Sequence, residues 1–430
     1  MGVDEVKLKV VESCIVTPSE ETPRHALWLS SLDVTMSNTG YTPTAYCYRP
    51  ESGVHDDDFF DVPRVKAAMA KALVAFYPLA GRLGMDGNGR LEIDCAGQGA
   101  LFVVARSDLT VDLSNFEPSQ ELRNLLVPPA EDYPGLLCAI QVAFFKSGGV
   151  ILGTALHHSA IDAVSAFHFF QTWSAFCRDG DNAAAVLGLP CHDRTLLRAR
   201  SPPILDPSEL PSSGLPVVRK VFDFSKDQVT AVKRACGGGV STFCALSAHV
   251  WQCVCAARRL PADATTLLTF LANIRSRLSP PLPGAYFGNG IITMGSSCEV
   301  REITSEAVAS VAERIKGVIR RMDDELVRSA IDYLELDIGN SPPPPQAPGL
   351  GGIPGTGLSV VSWLGMGMCD ADFGWGKPLG MTSMRAGEGR AGYVYLLDND
   401  GDGGGGVRVL VFLEAAFLDD FQRLLCADFL

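Results

Sequence analysis

The chain has 430 residues, 47% of them hydrophobic and 20% charged, with a formal charge of −13. One hydrophobic core stops growing near roughly 250–300 residues, so two domains are expected, and the apolar fraction is enough to fill both. The acidic balance argues against nucleic acid or an anionic membrane as partner, because either would need clustered Lys and Arg.

The opening "MGVDEVKLKVVE" lacks an apolar run of signal-peptide length, and Val6 stands where a myristoylation signal needs Ser or Thr. No later stretch reaches the roughly 20 apolar residues of a membrane span, so a soluble, cytoplasmic protein is expected. "VKLKVVESCIV" and "TAYCYRP" read as strands, and "VPRVKAAMAKALVAFYPLAG" carries apolar residues at helical spacing. Asp86, Gly87, Asn88 and Gly89 form a hairpin turn inside "GRLGMDGNGRLEIDCAG". "CAIQVAFFKSGGVILGTALHH" predicts two strands joined by a turn at Ser147, Gly148 and Gly149, and the second strand ends on His157 and His158. A helix follows from Ile161 to about Cys177, opened by Asp162. From about 190 to 217 the chain turns rich in Pro and Ser, as a crossover linker would. Beyond it, "STFCALSAHVWQCVCAARR" and the stretch from "SEAVASVAERIKGV" to "DYLEL" read as helical. "LLTFLANIR", "LSVVSWLGM", "GYVYLLD" and "GVRVLVFLEA" read as strands, and "SPPPPQAPGLGGIPGTG" as a surface loop. No fixed-period repeat occurs. The expected class is α/β, with domains at 1–190 and 218–430 joined by a linker at 191–217.

A histidine that acts as general base needs access to the reacting group and a partner that sets its tautomer. His158 with Asp162 offers such a pair, although a residue at a helix start aims its carboxylate at backbone N–H groups, which makes Asp162 structural. No G-x-S-x-G elbow is present, and "ACGGGVST" lacks the ending of a phosphate-binding loop and the spacing of a dinucleotide fingerprint. "DNDGDG" begins like a calcium loop, but Val409 occupies the position that needs a bidentate Glu, so a solvated hairpin is expected. The 13 cysteines include no C-x-x-C pair and read as reduced, mostly buried thiols rather than a metal site.

"HHSAID" (157–162) followed by "DFGWG" (372–376) resembles the BAHD acyltransferases, plant enzymes that transfer acyl groups from coenzyme A (CoA) thioesters. "FYPLAGRL", "STFCALSAHVWQCV", "NIRSRLSPPLPGAYFGN" and "DYLEL" extend the likeness along nearly the whole chain. The resemblance implies two chloramphenicol-acetyltransferase-like domains, each a mixed sheet with helices and with a channel between them; the first carries H-x-x-x-D and the second DFGWG. It implies that His158 is the general base, that Asp162 pairs with Arg275, and that the Trp375 indole N–H receives the oxyanion. Asp372, Gly374 and Gly376 would hold their loop in shape, and His157 would be a packed neighbour. Ser241, Thr242 and Asn289 fall in segments that line the CoA side in relatives, although Ser241 and Thr242 read equally as a helix N-cap. No bound cofactor or metal is implied, only the CoA thioester as co-substrate, and most members act as monomers.

For the acceptor, members that acylate shikimate or quinate carry an arginine two residues after a tryptophan, and here Gly365 holds that place after Trp363. A buried anionic acceptor without a cation is disfavoured, unless Arg385 or Arg390 substitutes. The fuller likeness leans toward hydroxycinnamoyl transfer to amines such as putrescine, agmatine or an arylalkylamine, with Glu388 as a candidate partner for a remote ammonium. O-acylation of an alcohol such as shikimate or quinate is the alternative, and a non-catalytic binding protein is the third reading.

Overall fold

The computed structural model describes residues 8–50, 59–111, 116, 120–183, 188–200, 217–340, 355–385, 391–399 and 404–427. Two six-stranded sheets carry the fold. The first runs in the spatial order β1 (Lys9–Val16), β6 (Ala100–Ser107), β7 (Cys138–Phe145), β8 (Val150–His157), β3 (Tyr41–Tyr48) and β13 (Gly380–Ser383). The second runs β11 (Ile291–Glu299), β10 (Thr265–Asn273), β12 (Leu358–Ser362), β14 (Tyr393–Asn399), β15 (Gly406–Glu414) and β9 (Val217–Phe224). A small sheet joins β2 (Ala26–Trp28), β5 (Leu91–Asp94) and β4 (Arg82–Met85). In the β4–β5 hairpin the Asp86 carboxylate accepts from the backbone of Asn88 and Arg90, both at 2.8 Å, and Gly89 takes φ +81°.

β8 is buried along most of its length because both faces of its sheet are covered, so its sequence is a nearly continuous apolar run. The helix Ala163–Asp179 follows it and buries Phe167, Phe170, Trp173 and Cys177, which recur at three and four residues. It packs on the helix Val62–Ala75, and the Trp173 indole donates to the Val65 carbonyl at 2.9 Å. The apolar cluster under the first sheet continues into Trp363, Tyr395 and Phe412 of the second, so one packed region joins the two. A second cluster surrounds the helix Thr242–Ala257, which is buried almost all round and takes in Cys244, Cys253 and Cys255. All thirteen cysteines are free thiols.

Two elements depart from the sequence reading. The helical stretch at 305–336 is two helices, Val308–Arg320 and Asp324–Asn340, with Asp323 accepting from the Leu326 N–H where the second begins. β13 crosses from the second half of the chain to the edge of the first sheet, pairing antiparallel with β3. It places Met381 opposite Tyr46 and Ser383 opposite Thr44, and brings Arg385 to Thr42, a neighbourhood that no local pattern announces. The segment expected as a linker begins with firmly held residues: His192 bonds to the Ala75 carbonyl at 2.9 Å and Arg194 is buried. Residues 201–216 of that segment, and 341–354 of the Pro- and Gly-rich loop, lie outside the described residues.

Candidate active site

The two adjacent histidines end a strand, so their side chains leave on opposite faces. His157 pairs across to Tyr41, stacks edge-on against its ring at 5.0 Å, and shares a 2.7 Å hydrogen bond between Nδ1 and Ser159 Oγ. Burial, then the neighbouring His158, pushes its pKa down to about 4. His158 instead lines an open cavity of about 1030 Å³, its mouth included. Burial first, then the charge of Arg385, lowers its pKa below the ordinary 6.5, while a bond to its own backbone, then the charge of Asp162 and the bond to Asn289, work in the opposite direction. Its imidazole is therefore neutral at pH 7, the state a general base requires.

The cavity wall carries flat rings and aliphatic groups, among them Phe167, Phe170, Trp363, Tyr393 and Tyr395, and a polar side with Thr39, Thr42 and Asn273. Among the described lining residues the permanently charged side chains are Asp162 and Arg385. Arg385 donates to Thr42 Oγ1 at 3.2 Å and sits near enough to His158 to bias its titration.

Asp162 does two jobs at once. Its carboxylate caps the helix, accepting from the Ser165 N–H at 3.0 Å, and it also receives both Arg275 Nη1 at 2.7 Å and Nη2 at 2.9 Å. The Gly290 N–H adds a fourth donor at 3.0 Å. Burial alone would raise its pKa, but the Arg275 charge and these bonds outweigh it, so the carboxyl titrates below the usual range. The pair ties the helix after β8 to the segment after β10, and with it the two sheets.

Trp375 requires a correction: it does not reach His158. Its indole stacks on Phe60 at 5.5 Å and lies 5.0 Å beneath the Arg64 guanidinium, which donates to the Cys177 carbonyl at 2.7 Å. That carbonyl is near the far end of the helix that begins beside His158, about 21 Å along its axis at about 1.5 Å per residue over the 14 steps from Ala163 to Cys177. The loop around it is shaped by Asp372 Oδ1, which accepts from the N–H groups of Gly374 at 2.8 Å and Gly376 at 3.0 Å. Both glycines hold positive φ, +102° and +95°, so the loop needs residues without Cβ there.

Asn289 is fully buried and contacts His158 directly. Ser241 is exposed and caps the helix Thr242–Ala257, accepting from the Cys244 N–H at 3.1 Å; neither it nor Thr242 lines the cavity. Gly365 does not line the cavity either, although Trp363 and Met366 on each side do. Its own N–H donates to Asp398 at 2.8 Å and φ is +69°, so the backbone turns away at that point. Glu388 and Arg390 lie outside the described residues, as do Asp400 and Asp402 of the calcium-like loop. Among the described residues no group of three or more His, Cys, Asp or Glu could hold a metal ion, and no helix is long and apolar enough to cross a membrane.

Sequence reasoning missed Asp33, Arg194 and Asn289 as a buried cluster beneath His158. The one available signal was the Ser30 to Asp33 spacing of a capping box, which announces a helix start and nothing about a histidine 125 residues away in a chain of this sequence.

The profile of the Transferase family matches residues 6–425. The chain belongs to this family, the BAHD acyltransferases. It is 42% identical over 442 residues to a putrescine hydroxycinnamoyltransferase of Oryza sativa subsp. japonica, covering 96% of this chain and 98% of that protein. It is 37% identical to a hydroxycinnamoyl-CoA:5-hydroxyanthranilate N-hydroxycinnamoyltransferase of Avena sativa, covering 97% of this chain and 99% of that one. Among solved structures, vinorine synthase superposes with a TM-score of 0.76 at 25% identity, covering 98% of each chain. The two sheets with flanking helices are therefore the two-domain acyltransferase architecture, and the protein is an acyl-CoA-dependent acyltransferase.

Proposed function

We propose that this acyltransferase moves a hydroxycinnamoyl-type aromatic acyl group from its CoA thioester to an amine of the putrescine, agmatine or arylalkylamine class. The observation that carries the reading is the cavity: a neutral, half-buried His158 shares one space with Phe167, Phe170, Trp363, Tyr393 and Tyr395, a setting that suits a flat aromatic acyl chain beside a base. The end-to-end likeness to the rice enzyme supports the amine.

In the reaction the uncharged amine nitrogen attacks the thioester carbonyl, forming the C–N bond, while His158 Nε2 takes the proton that the nitrogen gives up. The tetrahedral intermediate collapses with cleavage of the C–S bond, and the imidazolium returns its proton to the CoA thiolate. The products are the amide and the free thiol. With Trp375 distant, the donor for the oxyanion is an N–H or O–H group of the cavity wall. The protein works as a monomer in the cytoplasm, with one domain on 1–190 that also takes up β13, the other on the remainder of 218–430, and 191–217 joining them.

Arg385 favours a second reading. A guanidinium on the cavity wall is a natural counter-ion for an acceptor that carries a carboxylate, whether an aminobenzoate or shikimate. The two readings separate in one experiment: free-thiol release from p-coumaroyl-CoA with putrescine, agmatine, tyramine, 5-hydroxyanthranilate and shikimate, for the natural protein, His158→Ala and Arg385→Leu. Turnover with the simple amines, lost in His158→Ala and kept in Arg385→Leu, supports the first. Turnover confined to the two carboxylate acceptors and lost in Arg385→Leu establishes the second.

A further inference from the structure

Beneath His158 lies a buried chain of polar groups. Asn289 Oδ1 stands 3.1 Å from His158 Nδ1, and Asn289 Nδ2 donates to two atoms, Asp33 Oδ1 at 2.9 Å and the His158 carbonyl at 2.8 Å. Asp33 Oδ1 also accepts from the Asn289 N–H at 2.8 Å, while its Oδ2 accepts from Arg194 Nε at 3.0 Å and from Ser30 Oγ at 2.8 Å. Asp33 and Asn289 have no exposed surface, and Arg194 has 4%.

A carboxylate and a carbonyl can only accept, so the amide NH₂ must face them both, and the amide oxygen must face the histidine. An amide oxygen cannot donate, so the hydrogen of that bond sits on His158 Nδ1. We propose that Asn289, held by Asp33 and Arg194, is a positioning residue that keeps His158 in the Nδ1–H tautomer and leaves the Nε2 lone pair for the acceptor. The inference rests on the reading of His158 as base and adds to it the element that makes the base competent. Arg194 secures the chain from below: it neutralises Asp33, which without it would be a lone buried carboxylate. The same design, in which a partner on one ring nitrogen decides what the other can do, governs histidines in many acyl-transfer and metal sites.

The groups whose charge reaches His158 are Arg385, Asp162 and His157, with Asp33 acting through Asn289. The bond to Asn289 favours the protonated ring, so removing it lowers the His158 pKa. The test is nitrogen NMR of the histidine-labelled natural protein, with the His158 signals assigned by their loss in His158→Ala, alongside steady-state kinetics of Asn289→Ala. The expected spectrum shows Nδ1 protonated and Nε2 bare above the pKa. In Asn289→Ala the expected kcat falls about 10- to 100-fold, a part of what a general base supplies. KM for the acyl-CoA holds, and the acidic limb of kcat/KM moves to lower pH. A natural protein with hydrogen on Nε2 overturns the proposal, whether or not the variant folds. So does a folded Asn289→Ala with unchanged kcat and an unchanged acidic limb. Full activity in His158→Ala overturns the base reading instead, and the NMR arm still reports the tautomer by itself.

Discussion

Replacing Asp162 separates structure from chemistry. Asp162→Asn keeps a good N-cap, since Asn caps about as well as Asp, and removes the charge that faces Arg275. The Arg275 guanidinium then remains buried with its countercharge gone, and the side chains of the pair are only 7% and 1% exposed. Losing one partner of such a buried pair costs about 3–5 kcal/mol. Unfolding entropy of about 2.1 cal/mol/K per residue over 430 residues is about 0.9 kcal/mol/K, so about 4 kcal/mol lowers Tm by about 4–5 °C if unfolding is cooperative. Asp162→Ala loses the cap as well, at about 1 kcal/mol more. Arg275→Met in the Asp162→Asn background should recover part of the loss, because a neutral, well-packed pair often matches a buried ionic one. The assays are scanning calorimetry and initial rates well below Tm, normalised to folded protein. The expected outcome is a lowered Tm with kcat within a few-fold of the natural protein. A Tm within 1 °C, coupled to a hundredfold lower kcat, would refute the assignment of Asp162 to structure and make it part of the chemistry.

Three other outcomes are expected. Because the Arg385 charge disfavours the imidazolium, Arg385→Leu raises the His158 pKa, and the acidic limb of kcat/KM moves to higher pH; a limb that stays put would mean that the guanidinium does not sense the ring. His157 titrates at about 4 when folded and at 6.5 when exposed, so the unfolded chain binds the proton more readily between those values. Its contribution to stability is full above pH 6.5 and is lost as pH falls toward 4, and denaturant titrations of His157→Gln across that window should show a shallower decline than the natural protein. Trp375→Phe keeps a ring against Phe60 but gives up the indole N–H, so Tm falls while kcat stays within about twofold; a loss of kcat near the 100-fold of a missing oxyanion donor would return Trp375 to the reaction.

How far the site could be read from the chain follows the range of the forces that build it. Local signals were sufficient for β8, for the helix that Asp162 caps and for the Asp86 hairpin, since a short apolar run, capping and turn chemistry act within a few residues. The pairing of Asp162 with Arg275 came from the resemblance alone, for 113 residues separate the partners and nothing local to either names the other. β13 was invisible because four residues, "GMTS", make no periodic signal, and their partner strand lies more than 300 positions earlier. The misplacement of Trp375 has the same origin. A motif says which residues recur together; it does not say which of them share a cavity, and a side chain that holds a loop and one that meets a substrate leave the same trace in sequence. What decides between them is the partner of each polar atom. The indole of Trp375 lies between Phe60 and Arg64, whereas the amide of Asn289 has every polar atom committed around His158. The residue that sits in the conspicuous motif therefore supports the architecture, and a buried asparagine outside it governs the base.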